Sequence, residues 1–245
     1  MPDQAKVQNR LFSLMSAEDF ARFAPQLDCV KLPKGHVVVE PGRPFSQVYF
    51  VESGVGSIVA QSPEGQQVEA GLFGMDGFTP VEAALGSDRS LNRVVIQIAD
   101  DAWRCPLPAF REAIEASSSL RGLLLRYVQA LHVQTTYTAL SNAMHSVEER
   151  LARWILMCDD RIDTSEMALT HEFISIMLGV RRPSVTTTLH VLEGNGFIRS
   201  ERGSITVVNR KALEEFAVDA YGAPEAEYAR LIGPLRDPAR SWSAR

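Results

Sequence analysis

The chain of 245 residues has room for one large domain or two of ordinary size, and with 45% hydrophobic and 22% charged residues it can bury ordinary cores. Its net charge of −5 excludes a protein that coats nucleic acid indiscriminately. No stretch reaches the roughly 18 uninterrupted apolar residues of a membrane span. The start, MPDQAKVQNRLF, lacks an apolar signal core, so a cytoplasmic protein without membrane contact is expected.

In chain order, SAEDFARFAPQL reads as a short helix with Ser16 placed to cap it. Residues 30–105 then read as β structure. HVVVE, QVYFVESG, VGSIVAQ, QQVEAGLF and RVVIQIA are β-branched or aromatic runs, separated by turns at Pro41-Gly42, Ser53-Gly54, Pro63-Glu64-Gly65 and Asp76-Gly77. Short strands at that spacing predict a sandwich or barrel. A metal-holding jelly roll needs clustered histidines, whereas His36 is followed by Val37 and Val38 with only Glu40 near, and His132 stands alone. Cys29, Cys105 and Cys158 are too dispersed for a zinc or iron–sulfur site. No metal and no cofactor are expected.

From Pro106 to about His145 the pattern is helical. One stripe runs Leu120, Leu124, Tyr127, Leu131, Gln134, Thr138, and a second runs Leu123, Ala130, Val133, Tyr137, Leu140, Met144. Two stripes imply two surfaces to cover, one the chain's own barrel and the other a partner chain. Leu120, Leu124, Tyr127 and Leu131 are assigned to the seam of a homodimer. Another amphipathic helix, SVEERLARWILMCDD, leads into LTHEFISIMLGVRRPSVTTTLHVLEGNGFI. Here a helix capped by Thr170 ends at Leu178, Gly179 permits a tight turn, and Pro183 suits the first turn of the next helix. Ser175 is small enough for a close helix crossing, and Ile174, Leu178, Val180, Val185, Leu189 and Leu192 form one core, with Thr188 at a position that is usually aliphatic. GFIRSERGSITVVN then predicts a hairpin about Glu201-Arg202-Gly203. The segment from Lys211 reads as helical to about Ile232, and LRDPARSWSAR beyond Gly233-Pro234 as loose.

A helix-turn-helix with a hairpin wing gives the polar start of its second helix a purpose, because those residues face a major groove. Between His171 and Lys211 six cations (Arg181, Arg182, Arg199, Arg202, Arg210, Lys211) meet three carboxylates (Glu172, Glu193, Glu201), a basic segment on an acidic body. Arg182, next to Arg181, is assigned to base readout, since a guanidinium grips guanine bidentately. Thr170, Ser184 and Thr187 are assigned to phosphate or base edges, and Arg199 and Arg202 to phosphates.

At this point the sequence resembles the Crp–Fnr transcription regulators, most specifically through THEFISIMLGVRRPSV and GHVVVEPGRPFSQVYFVESGVGSIV. The likeness implies an α+β chain: a cyclic-nucleotide-binding-like jelly roll at 1–110, a long dimerisation helix at 111–145, a winged helix-turn-helix at 146–232, and a loose tail at 233–245. It further implies a non-enzymatic homodimer on a pseudo-palindromic duplex DNA operator, with RNA polymerase as partner and a small-molecule effector in the sensor. Cyclic-AMP-binding members of the family carry a Gly-Glu pair for the ribose and Arg-Ser-Ala for the phosphate. This chain has Thr79-Pro80-Val81 near the first and Arg89-Ser90-Leu91, several residues early, near the second. The candidate effector pocket is therefore Thr79, Glu82, Arg89 and Ser90, and no response to cyclic AMP is expected, because a buried phosphate would lack a placed guanidinium. A variant phosphate loop that still takes a cyclic nucleotide is the alternative. Pro183 and Thr187 replace two further base-contacting charged residues of those members, so a different DNA sequence should be read.

Overall fold

The structure, a computed structural model, describes residues 2–164 and 166–235. Two short helices, α1 (Arg10–Leu14) and α2 (Ala17–Phe23), come first, each entered through a capping side chain: Asn9 accepts from the Leu11 N–H and Ser16 from the Asp19 N–H. Asn9 is fully buried, and its amide donates to the carbonyls of Val51 and Gly77 at 2.9 and 2.8 Å, fixing the N-terminal segment to the sheets.

Eight strands follow: β1 (Asp28–Leu32), β2 (Val37–Val39), β3 (Gln47–Val51), β4 (Val55–Gln61), β5 (Gln67–Phe73), β6 (Phe78–Thr79), β7 (Arg93–Ile98) and β8 (Asp100–Pro106). They pair antiparallel into two sheets, ordered β1-β8-β3-β6 and β2-β7-β4-β5. This is the expected jelly-roll-like sandwich, called the sensor domain below after the expected role, and its interior is filled by rings. Phe78 lies 5.6 Å from Phe50, 5.6 Å from Phe110 and 5.3 Å from Tyr127, and Phe12 stacks on Phe50 at 4.4 Å. Two glycines allow this density: a Cβ on Gly77 would sit 1.8 Å from the Tyr127 ring, and one on Gly56 2.2 Å from that of Phe73.

The second sheet is buried on both faces. Along β7, Val94 and Ile96 join the aromatic core, whereas Val95 joins a second core with Val55, Val59 and Leu72 of the neighbouring strands. That second core belongs to the C-terminal half of the chain.

The helix expected from Pro106 to His145 is two helices, α3 (Leu107–Ala116) and α4 (Ser118–Met144). Ser117 breaks them, because its extended backbone ends the first while its hydroxyl accepts from the Leu120 N–H to start the second. After α4 come α5 (Val147–Asp159), β9 (Glu166–Met167), α6 (His171–Leu178), α7 (Arg182–Gly194), β10 (Ile198–Glu201), β11 (Ser204–Val207) and α8 (Arg210–Ala217). A reciprocal capping box between Ser146 and Glu149 starts α5. The wing is a three-stranded sheet, β10-β11-β9. The single helix expected from Lys211 to about Ile232 is also two. A turn at Val218–Ala220 and Gly222 separate α8 from α9 (Ala223–Leu231). The segment read as a loose tail lies, from residue 236, outside the described residues.

The assigned dimer seam is corrected by this packing. Leu120, Leu124, Tyr127 and Leu131 are 2, 1, 1 and 7% exposed within the single chain, the first three in the sensor's own aromatic core. A sandwich needs its open end covered, and the stripe with larger apolar side chains near the start of α4 covers it. Of the other stripe, Leu123 and Ala130 are buried too, while Leu140 and Met144 are 48 and 73% exposed, as is Leu125 at 40%.

Candidate nucleic-acid interface

The α6–α7 pair has the geometry that the sequence spelled out. Thr170 caps α6 by accepting from the Phe173 N–H at 3.3 Å, and Gly179 turns the chain at φ 62°. Arg181 is the N-cap of α7, and Pro183 falls in its first turn, where a missing N–H costs nothing. Ile174, Leu178, Val185, Leu189 and Leu192 are buried together, with Val180 packed against them. Thr188 is buried as well, at 2% exposure.

This frame leaves Arg181, Arg182, Pro183, Ser184 and Thr187 exposed at the positive end of the α7 dipole. Arg182 is not idle. Its guanidinium meets the Glu172 carboxylate at 2.6 Å, with the two side chains 60 and 65% exposed. The Thr187 hydroxyl donates back to the Pro183 carbonyl at 3.2 Å, so only its lone pairs face outward. Arg199 on β10 and Arg202 in the wing turn are exposed and, among the described residues, carry no ion pair within 4.0 Å. Arg210 leaves the basic footprint. It sits between Asp159 and Asp160, 2.7 Å from the latter, and donates to Glu214 at 2.8 Å, tying α8 to the end of α5.

The four candidate effector residues differ in surroundings and exposure. Thr79 is buried opposite Tyr49 in the β3–β6 pairing, and Glu82 is half-buried in a turn at Val81–Leu85. Arg89 is a surface residue whose guanidinium neighbours Asp88 at 3.7 Å. Ser90 is buried, its carbonyl accepting from the Gly42 N–H at 2.7 Å. Arg111 clamps the intervening loop by donating to the carbonyls of Gly86 and Ser87 at 3.3 and 3.0 Å. Among the described residues no group of three or more His, Cys, Asp or Glu side chains could hold a metal ion, and no helix is long and apolar enough to cross a membrane.

Sequence reasoning missed the polar junction between the two halves. Glu69 on β5 is buried, accepting from the Ser57 hydroxyl and from the Trp154 indole N–H of α5 at 2.8 Å. Burial pushes its carboxyl up to about 7, against the opposing effect of these two hydrogen bonds and of Arg153 and Arg161. Asp76, in the turn after β5, pairs with Arg161 at 2.8 Å, both side chains at most 3% exposed. The only signal was a single acid in QQVEAGLF and a single arginine after LMCDD, which without partners says nothing of burial.

A β sandwich sealed by a long helix that leads into a winged helix-turn-helix defines a class of two-part DNA-binding regulators. Residues 149–216 match the Crp-like helix-turn-helix domain. A CRP-like cAMP-activated global transcriptional regulator of Mycobacterium tuberculosis is 25% identical over 220 residues, covering 86% of this chain and 97% of that protein. A crp/fnr-family regulator from Eubacterium rectale superposes with TM-score 0.63 at 19% identity, covering 84% of this chain and 97% of that one. The c-di-GMP responsive global regulator CLP of Xanthomonas campestris does so with TM-score 0.63 at 17% identity, covering 78% and 99%. Residues 149–216 thus carry a Crp-like helix-turn-helix domain, and the chain as a whole is similar to Crp–Fnr transcription regulators.

Proposed function

We propose that the chain is a homodimeric, sequence-specific regulator that places α7 of each copy in the major groove of a pseudo-palindromic operator and acts through RNA polymerase. The observation that carries this reading is the exposed first turn of α7, where Arg181, Arg182, Ser184 and Thr187 stand on a rigid two-helix frame. In it Arg182 reads a base, Thr187 a base edge, and Thr170, Ser184, Arg181, Arg199 and Arg202 hold phosphates. The second copy covers the outward side of α4. From Tyr127 to Met144 that helix has no Lys, Arg, Asp or Glu, and it exposes Leu140 and Met144. An exposed helical face without charge is costly in a monomer and suits a subunit contact.

Selection from a random duplex pool, followed by footprinting at two salt concentrations, tests the reading. It should return two half-sites about 34 Å apart and an affinity that falls steeply with salt. Sequence-independent binding, or none, overturns it.

Phe50, Phe78, Phe110 and Tyr127 fill the interior of the sandwich, which supports a regulator that works without cyclic AMP. The Mycobacterium relative, whose name says that it is cAMP-activated, favours a second reading in which a cyclic nucleotide is the effector. Calorimetry separates the two. Cyclic AMP should bind no tighter than about the millimolar range, since a phosphate without a placed cation forgoes its strongest hydrogen bonds. Micromolar binding that disappears in Arg89→Ala would establish the second reading.

A further inference from the structure

The helix α9 follows the matched domain in sequence but belongs to the sensor by its packing. Tyr228 is 4% exposed, and its hydroxyl donates to the Asp76 carbonyl at 2.6 Å. Leu235 is buried in the aromatic core, Leu231 and Ile232 pack against that core, and Arg126 of α4 donates to the Leu231 carbonyl at 3.1 Å. The same Asp76 holds Arg161 with its carboxylate, and Arg161 donates to the Met157 carbonyl of α5 at 2.8 Å. Residues 147–217 therefore leave the sensor at α4 and return to it at α9. A domain tethered at one end swings about one hinge. One tethered at both ends leaves the sheet only when α9 gives up its seat.

The docked orientation sets α6 against the sensor. Met177 and Leu178 share a core with Val55, Val59, Leu72 and Val95. The Gly179 turn faces Val68, 3.5 Å from where its Cβ would be. Lys34, between β1 and β2, donates to the Ala168 carbonyl at 2.6 Å and lies 5.2 Å from the Phe173 ring centroid. In a helix-turn-helix the first helix crosses the DNA backbone. The sensor thus stands against the helix that a duplex must approach.

We propose that α9 is a clasp that holds the winged helix-turn-helix docked on its own sensor sheet, and that this docked arrangement has low DNA affinity. Loosening the clasp frees α6 and raises the affinity. The proposal rests on the DNA-binding reading above for its second half only.

Full-length Tyr228→Phe and Tyr228→Ala test it, by hydrogen exchange and by binding to a random duplex pool at fixed salt. Removing the hydroxyl alone should tighten binding about threefold to fivefold, the worth of one ordinary hydrogen bond, and removing the ring about tenfold or more. Amides of α5 and β5 should exchange faster while those of β3 do not change. Mere loss of structure would weaken DNA binding, so a gain in affinity separates a clasp from a prop. Faster exchange with unchanged or weaker DNA affinity overturns the inhibitory role, and unchanged exchange overturns the clasp. If Tyr228→Ala folds poorly, Tyr228→Phe decides. Should neither wild type nor variants bind any duplex, the function reading fails and takes the affinity claim with it, while exchange still decides the tether.

Discussion

Arg182 and Glu172 form an exposed ion pair, and such pairs are worth little in water. Exchange of that carboxylate for the O6 and N7 of a guanine is therefore cheap, and the pair preorganises the guanidinium meanwhile. Arg182→Ala should cost about 1–3 kcal/mol at one operator position and relax specificity there, as measured on single-base operator variants. A uniform loss across all sequences would assign Arg182 to a phosphate instead. Glu69 is a residue of another kind, legible as an acid but not as a buried one. With a carboxyl raised from 4.5 to about 7, the folded chain holds a proton that the unfolded chain has lost. Stability from this group is thus full below about pH 4.5 and declines as pH rises to about 7, by on the order of 3 kcal/mol at most. Trp154, which donates to Glu69, reports the change. Its fluorescence should titrate near pH 7 in the wild type, and both the titration and the stability slope should vanish in Glu69→Gln. Persistence of either in the variant would place the proton elsewhere.

At the scale of the element, α6, α7 and the wing were legible because their signals are local. A capping threonine, a turn glycine, an early proline and a hairpin turn each act within a few residues. The long helix was legible as a helix with two apolar stripes, but not as to which stripe faces inward. Periodicity fixes the angle between stripes and leaves the partner of each open. Leu124 fills a core, so Leu124→Ala should lower stability by about 2–5 kcal/mol in chemical denaturation. Leu140→Asp with Met144→Asp changes positions exposed in the single chain, so the variant should stay folded by circular dichroism while sedimentation reports a monomer. A double variant that remains dimeric would move the subunit contact off this end of α4. The break at Ser117 was missed for a related reason. A serine inside a helical pattern is tolerated, and only the competition between α3 and α4 for the sandwich makes it a cap.

For the whole molecule, nothing in the sequence announced that the sensor and the winged helix share a core. Val55, Val59, Leu72 and Val95 read as ordinary strand residues, and the contacts that bury them come from about a hundred residues further on. The β2-β7-β4-β5 sheet consequently has little solvent face of its own, and this bears on how the chain is made. The ribosome delivers the strands before α5, so for the time needed to add the second half, a completed sandwich would show a valine-rich wall to solvent. Domains generally fold in order of synthesis, and exposed apolar strands are the species that aggregate. A fragment ending at residue 146 should be far less soluble than the full chain, and a translational pause near that codon should lower yield. Such a result would make the second half of the protein an intramolecular chaperone for the first.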